Sequence, residues 1–115
     1  MGIFGQFRRA YVADWANSRA GERVFRPDPD VRYVVVALGV QIINVRTREA
    51  FSLSFPQSAV WDMASRGYSL DLIAEKLAAA SHWTLKHSAG LAAETLGALE
   101  AKGFLSSEIV NDVTR

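Results

Sequence analysis

The chain contains no cysteine among its 115 residues, which excludes a disulfide framework and any thiolate-ligated metal site. The same absence fits a reducing compartment, so the cytoplasm is the expected location. Neither sign of charge dominates: 13 lysines and arginines face 12 acids, a net +1, and composition alone points to no particular partner. No apolar run approaches the roughly 18–20 residues of a membrane-spanning helix. The first residues do not read as a secretory signal, because Arg8 and Arg9 interrupt any apolar stretch and no small-residue cleavage site follows one. A myristoylation pattern fails at Gln6, where serine or threonine is required. There is no internal repeat and no low-complexity tract. Half of the residues are hydrophobic and 22% are charged, the balance of one folded domain with a modest core.

Three segments follow from the pattern along the chain. Residues 1–24 form an amphipathic leading segment, in which Phe4, Phe7, Tyr11 and Trp15 recur at helical spacing and would share one face of a helix. "FRPDPD", residues 25–30, disfavours helix and suits an extended lead-in, which marks the start of a core domain over 25–106. Residues 107–115 read as a C-terminal tail. Within the core, "VRYVVVAL" (31–38), "VQIINV" (40–45) and "AFSLSF" (50–55) are strands, and connections this short allow only an antiparallel meander. The first two are apolar on nearly every position, as for strands covered on both faces, by helices on one side and by the leading segment or a second subunit on the other. The third alternates.

Three helices should follow. Ser54 is placed to cap the first, with Pro56 in its first turn, Val60, Trp61 and Ala64 inward, and Gly67 at its end. Ser69 caps the second, "LDLIAEKLAAA", with Leu70, Ile73, Ala74 and Leu77 as its buried stripe. "SHWTLKH" reads as a connector, and Ser88 as the cap of a third helix running to Lys102 and stopped by Gly103, with Phe104 and Leu105 folding back. The class is α+β: a winged-helix-like fold with a three-stranded antiparallel meander followed by three helices.

Residues able to carry out chemistry are scarce. His82 and His87 are five apart, so they would not share a helix face, and no carboxylate cluster completes a metal site. Asp28 and Asp30 suit a solvated turn. "ALGV" supplies a turn glycine without a phosphate-loop pattern, and no serine has a histidine–acid pair beside it. The expectation is a non-enzyme without metal or cofactor.

Two kinds of binding remain. A winged-helix body suggests a DNA-binding transcriptional regulator. Against that, the third helix carries Glu94, Glu100 and Lys102 and the second Asp71, Glu75 and Lys76, each a formal −1, where phosphate contacts need positive charge. Peptide capture fits better. The strand from Ala50 to Phe55 has no lysine, proline or charge to guard its edge, whereas the first strand carries Arg32 and follows two prolines. An extended peptide could join that bare edge, with the third helix as a wall whose Ala92, Ala93, Gly97 and Ala98 leave space beside Leu91 and Thr95. The same small residues also suit plain helix-on-sheet packing, and both readings stand on the pattern alone.

The stretch "FSLSFPQSAVWDMASRGYSLDLIAEKLAAA", followed by "LAAETLGALEAKGFL", resembles the PqqD-like peptide chaperones, also called RiPP precursor recognition elements. The likeness spans about residues 31–106 and rests on Ala59 and Trp61, on Gly67, on "SLDLIAEKL" from Ser69 to Leu77, and on "LEAKGFL" from Leu99 to Leu105. The resemblance implies a non-catalytic adaptor that holds the leader of a ribosomally made precursor peptide and presents it to a modifying enzyme, such as a radical SAM protein, in cofactor or natural-product biosynthesis. It also implies that the leader adds to the third strand and lies against the last helix. Together with the bare edge this gives a peptide-binding set: Ala50, Phe51, Ser52, Leu53 and Ser54 as the backbone edge, and Leu91, Thr95, Ala98 and Lys102 as the wall, with Lys102 facing an acidic guest residue. The expected partners are therefore a leader peptide and a modifying enzyme, not nucleic acid. A homodimer, and a peripheral scaffold using residues 1–23 for membrane or partner contact, are the remaining alternatives.

Overall fold

The computed structural model describes residues 21–110 and the backbone of Arg8–Arg9. In chain order the elements are β1 (Arg8–Arg9), β2 (Arg23–Pro27), β3 (Val31–Val36), β4 (Gly39–Asn44), β5 (Ala50–Ser54), α1 (Gln57–Ser65), α2 (Leu70–Ser81), α3 (Leu85–Ala101) and β6 (Leu105–Ile109). The class is α+β, with the antiparallel meander β3–β4–β5 followed by three helices.

Two strand pairings change the picture drawn from sequence. Arg8–Arg9 is extended and lies antiparallel on β3, opposite Tyr33 and Arg32, so the larger sheet has the order β1-β3-β4-β5. A continuous helix from Phe4 through Trp15 is thereby excluded, and the remainder of that expectation lies outside the described residues. The "FRP" of the lead-in is not a bare connection but strand β2, which pairs with β6 from Arg23↔Ile109 to Pro27↔Leu105. Proline is tolerated at the last position of such a strand, where one missing donor breaks little. β2 thus crosses residue 24, and β6 reaches Ile109 within the segment read as a tail.

Helices cover one face of the meander. Val31, Val40, Ile42 and Leu53 share that face and join Val60, Trp61, Ala64, Ile73, Leu77, Ala92, Leu96, Leu99 and Phe104 in one core. On the opposite face Ile43 is buried, Arg32, Val34 and Gln41 are half-buried, and Ala50, Ser52 and Ser54 are exposed. The expected cover for that face, the leading segment or a second subunit, lies outside the described residues. The β3–β4 turn consists of Ala37 and Leu38, because Val36 already pairs with Gly39. Gly39 is therefore a strand residue rather than the turn glycine expected, and a Cβ there would overlap the carbonyl oxygen of Leu53. Its bare Cα lets β5 approach β4.

The helix ends are partly as read. Ser69 caps α2, its Oγ accepting from the Leu72 N–H at 3.2 Å. Gly67 (φ 95°) and Gly103 (φ 84°) take the left-handed conformation expected after α1 and α3. Two caps are corrected. Ser54 ends β5, and α1 begins after Pro56 with no side-chain cap. α3 begins at Leu85, so the supposed connector supplies its first turn, and Thr84 is the cap, its Oγ1 accepting from the His87 N–H at 3.1 Å. Ser88 lies one turn inside, buried, its hydroxyl without a hydrogen-bond partner.

Candidate functional site: the β5 edge and the facing side of α3

The ladder fixes which backbone groups of β5 are free. The Asn44 N–H donates to the Glu49 carbonyl and the Val45 N–H to the Asp30 carbonyl, both at 2.9 Å. In an antiparallel ladder these directions alternate residue by residue. With the register Ile42↔Phe51 and Val40↔Leu53, the N–H and C=O of Phe51 and Leu53 turn toward β4. Those of Ala50, Ser52 and Ser54 turn outward, where no strand pairs with them among the described residues. The other edge of this sheet is β1, two residues lying on β3.

The nine residues proposed from sequence thus fall into three groups. Ala50, Ser52 and Ser54 are exposed and carry the outward backbone groups. Phe51 and Leu53 point their side chains into the helix-covered face, Leu53 buried and Phe51 half-buried. On α3, Leu91, Thr95, Ala98 and Lys102 are spaced by three or four residues and share one face, together with His87 and Glu94. Thr95 is buried and Leu91 half-buried, whereas Ala98 and Lys102 are exposed.

Side chains join β5 to this face at both ends. At one end the Phe51 ring stacks on Phe104 (centroids 6.2 Å, planes 8° apart), and the Lys102 Nζ lies 5.5 Å from the Phe51 centroid. At the other, Phe55 packs against Trp83 at 6.4 Å, and Trp83 meets the His87 edge at 4.9 Å. Phe51 thus neighbours the C-terminal end of α3 and Phe55 its N-terminal end, so β5 and α3 run antiparallel. Trp83 and His87 were missed from sequence because both fell in the supposed connector; their place at the site depends on α3 starting at Leu85.

Polar chemistry is sparse. Among the described residues no group of three or more His, Asp or Glu side chains is arranged to hold a metal ion. His82 is the left-handed C-cap of α2 and His87 sits in the first turn of α3. Arg46, in the β4–β5 turn, is engaged by Asp30 at 3.1 Å and Asp28 at 3.6 Å, which ties that turn to the one before β3. Two hollows lie elsewhere. One of about 190 Å³ sits between α3 and β2, lined by Phe25, Leu70, Leu96 and Gly97. Another, of about 230 Å³, lies under β3 and β4, lined by Tyr33, Val40, Ala59 and Trp61. No helix among the described residues is long and apolar enough to cross a membrane. Comparisons of the chain with protein-family models, with curated proteins and with solved structures give no match.

Proposed function

We propose that this is a winged-helix-like, non-catalytic adaptor of the cytoplasm that binds an extended peptide as an additional strand on β5. The observation that carries the reading is the outward row of N–H and C=O groups on Ala50, Ser52 and Ser54, in a sheet whose opposite edge is only the two-residue β1. Each backbone hydrogen bond gained contributes a net ~0.5–1.5 kcal/mol. A handful of them little more than offsets the roughly 2–5 kcal/mol of ordering a free peptide. Affinity and selectivity therefore come from guest side chains on the α3 side, at about 1.5–3 kcal/mol for each apolar group fully buried. Two such anchors, about 3–6 kcal/mol together, correspond to a Kd from millimolar to tens of micromolar. The sequence resemblance to PqqD-like chaperones supports the same site and suggests a precursor leader as guest and a modifying enzyme as recipient. The DNA-binding alternative gains no support, since Arg46 is held by two aspartates and α3 exposes Glu94 and Glu100.

The test is selection of short random peptides from a displayed library on the wild-type protein and on Ser52→Pro. Proline removes one outward donor and leaves the β4 ladder intact, so the enriched peptides should lose most of their affinity for the variant. Equal capture by both proteins would refute strand addition at β5.

A further inference from the structure

The two ends of the surface formed by β5 and the facing side of α3 differ in chemistry, and the difference gives it a direction. At the Ser54 end Phe55 is 58% exposed, and Leu38, 83% exposed, stands in the β3–β4 turn next to Gly39, the residue paired with Ser54. At the Ala50 end stands Lys102, exposed and in no ion pair among the described residues. Between them Glu94 lies on the same face of α3, exposed at the rim. Lys86 is about 100° round the helix from His87 and so lies off this face. Glu100 is engaged by Ser107, whose Oγ donates to it at 2.8 Å and accepts from Arg23 at 2.9 Å.

We infer that this surface selects peptides by order: a bulky apolar residue on the amino-terminal side, seated against Phe55 and Trp83, then an acidic residue further along, meeting Lys102. The inference rests on strand addition at β5. Every pairing in this sheet is antiparallel. A guest that continues the pattern starts at the Ser54 end and finishes at the Ala50 end. Phe51 and Phe55 are four residues apart and strand side chains alternate faces, so the apolar and acidic guest residues, both turned to the α3 side, fall about four or about six positions apart. Glu94 repels an acid placed early, and Lys102 attracts one placed late. A peptide of the same composition in reverse order sets its acid beside an apolar surface and its apolar residue beside Lys102.

The experiment sequences the pools enriched from the random library on wild type, Phe55→Ser, Lys102→Glu and two edge variants, Ser52→Pro and Ala50→Pro, each checked for folding by circular dichroism. With wild type, peptides with the apolar residue before the acid should exceed the reverse order at least fivefold. Phe55→Ser should erase the apolar preference and keep the acidic one. Lys102→Glu should replace the acid with lysine or arginine at the same spacing. Enrichment that depends on the edge but shows no order, or an acid preference that survives Lys102→Glu, overturns the inference and leaves strand addition standing. Enrichment indifferent to both edge variants, or none on wild type, removes both.

Discussion

Thr84 and Ser88 lie one helical turn apart at the start of α3 and have opposite effects there. The Thr84 hydroxyl accepts an N–H that the helix cannot satisfy internally, whereas the Ser88 hydroxyl is buried with no partner. Thr84→Ala should lower stability by about 1 kcal/mol. Ser88→Ala removes an unpaired buried polar group and should leave stability unchanged or raise it by up to about 1 kcal/mol. Urea denaturation of the two variants checks the assignment, and the reverse ranking would restore Ser88 as the cap. From sequence alone both residues carry a suitable hydroxyl; burial separates them, and burial depends on how α3 seats in the core. Gly39 has the same character. A methyl group there meets the Leu53 carbonyl oxygen, so Gly39→Ala should push β5 away from β4 and destabilise the fold by about 1–3 kcal/mol, read from the same denaturation curves.

At the scale of elements, β5 alternates in its backbone as well as in its side chains. Proline at Ser52 deletes an outward N–H, while proline at Leu53 deletes one that bonds β4 and disturbs a buried side chain. Thermal melts should therefore find Ser52→Pro close to wild type and Leu53→Pro destabilised by about 3 kcal/mol or more. If the two melt alike, the assignment of outward and inward groups is wrong. The meander was legible because β-branched residues crowd Val31–Val36 and Gly39–Asn44, and α2 because Ser69 and the Ile73–Leu77 stripe agree. β2 and β6 were not. "RVFRP" ends in a proline, "LSSEI" has only two apolar residues, and each makes sense only through a partner about 80 residues away in the chain. The bare edge of β5 could be read because a missing guard is a local property. The aromatic contacts of Phe55, Trp83 and His87 could not, since they depend on where a distant helix begins.

Across the described residues, β5 is the long edge of the larger sheet, with no strand beside it, and the opposite edge is the two-residue β1 lying on β3. Light scattering over a concentration series should find that association through this sheet yields at most a two-chain species, and that Ser52→Pro weakens it. Species that grow beyond two chains and are abolished by Ser52→Pro would mean that the β3 edge is also accessible. In the language of step-growth polymers, a unit with a single reactive end can couple once and then terminates the product. β1 is a poor second end of this kind: an edge of only two residues, both arginine, and short charged edges pair badly, so a fold that keeps one edge sticky enough to hold a visitor offers little at the other from which to build a fibre.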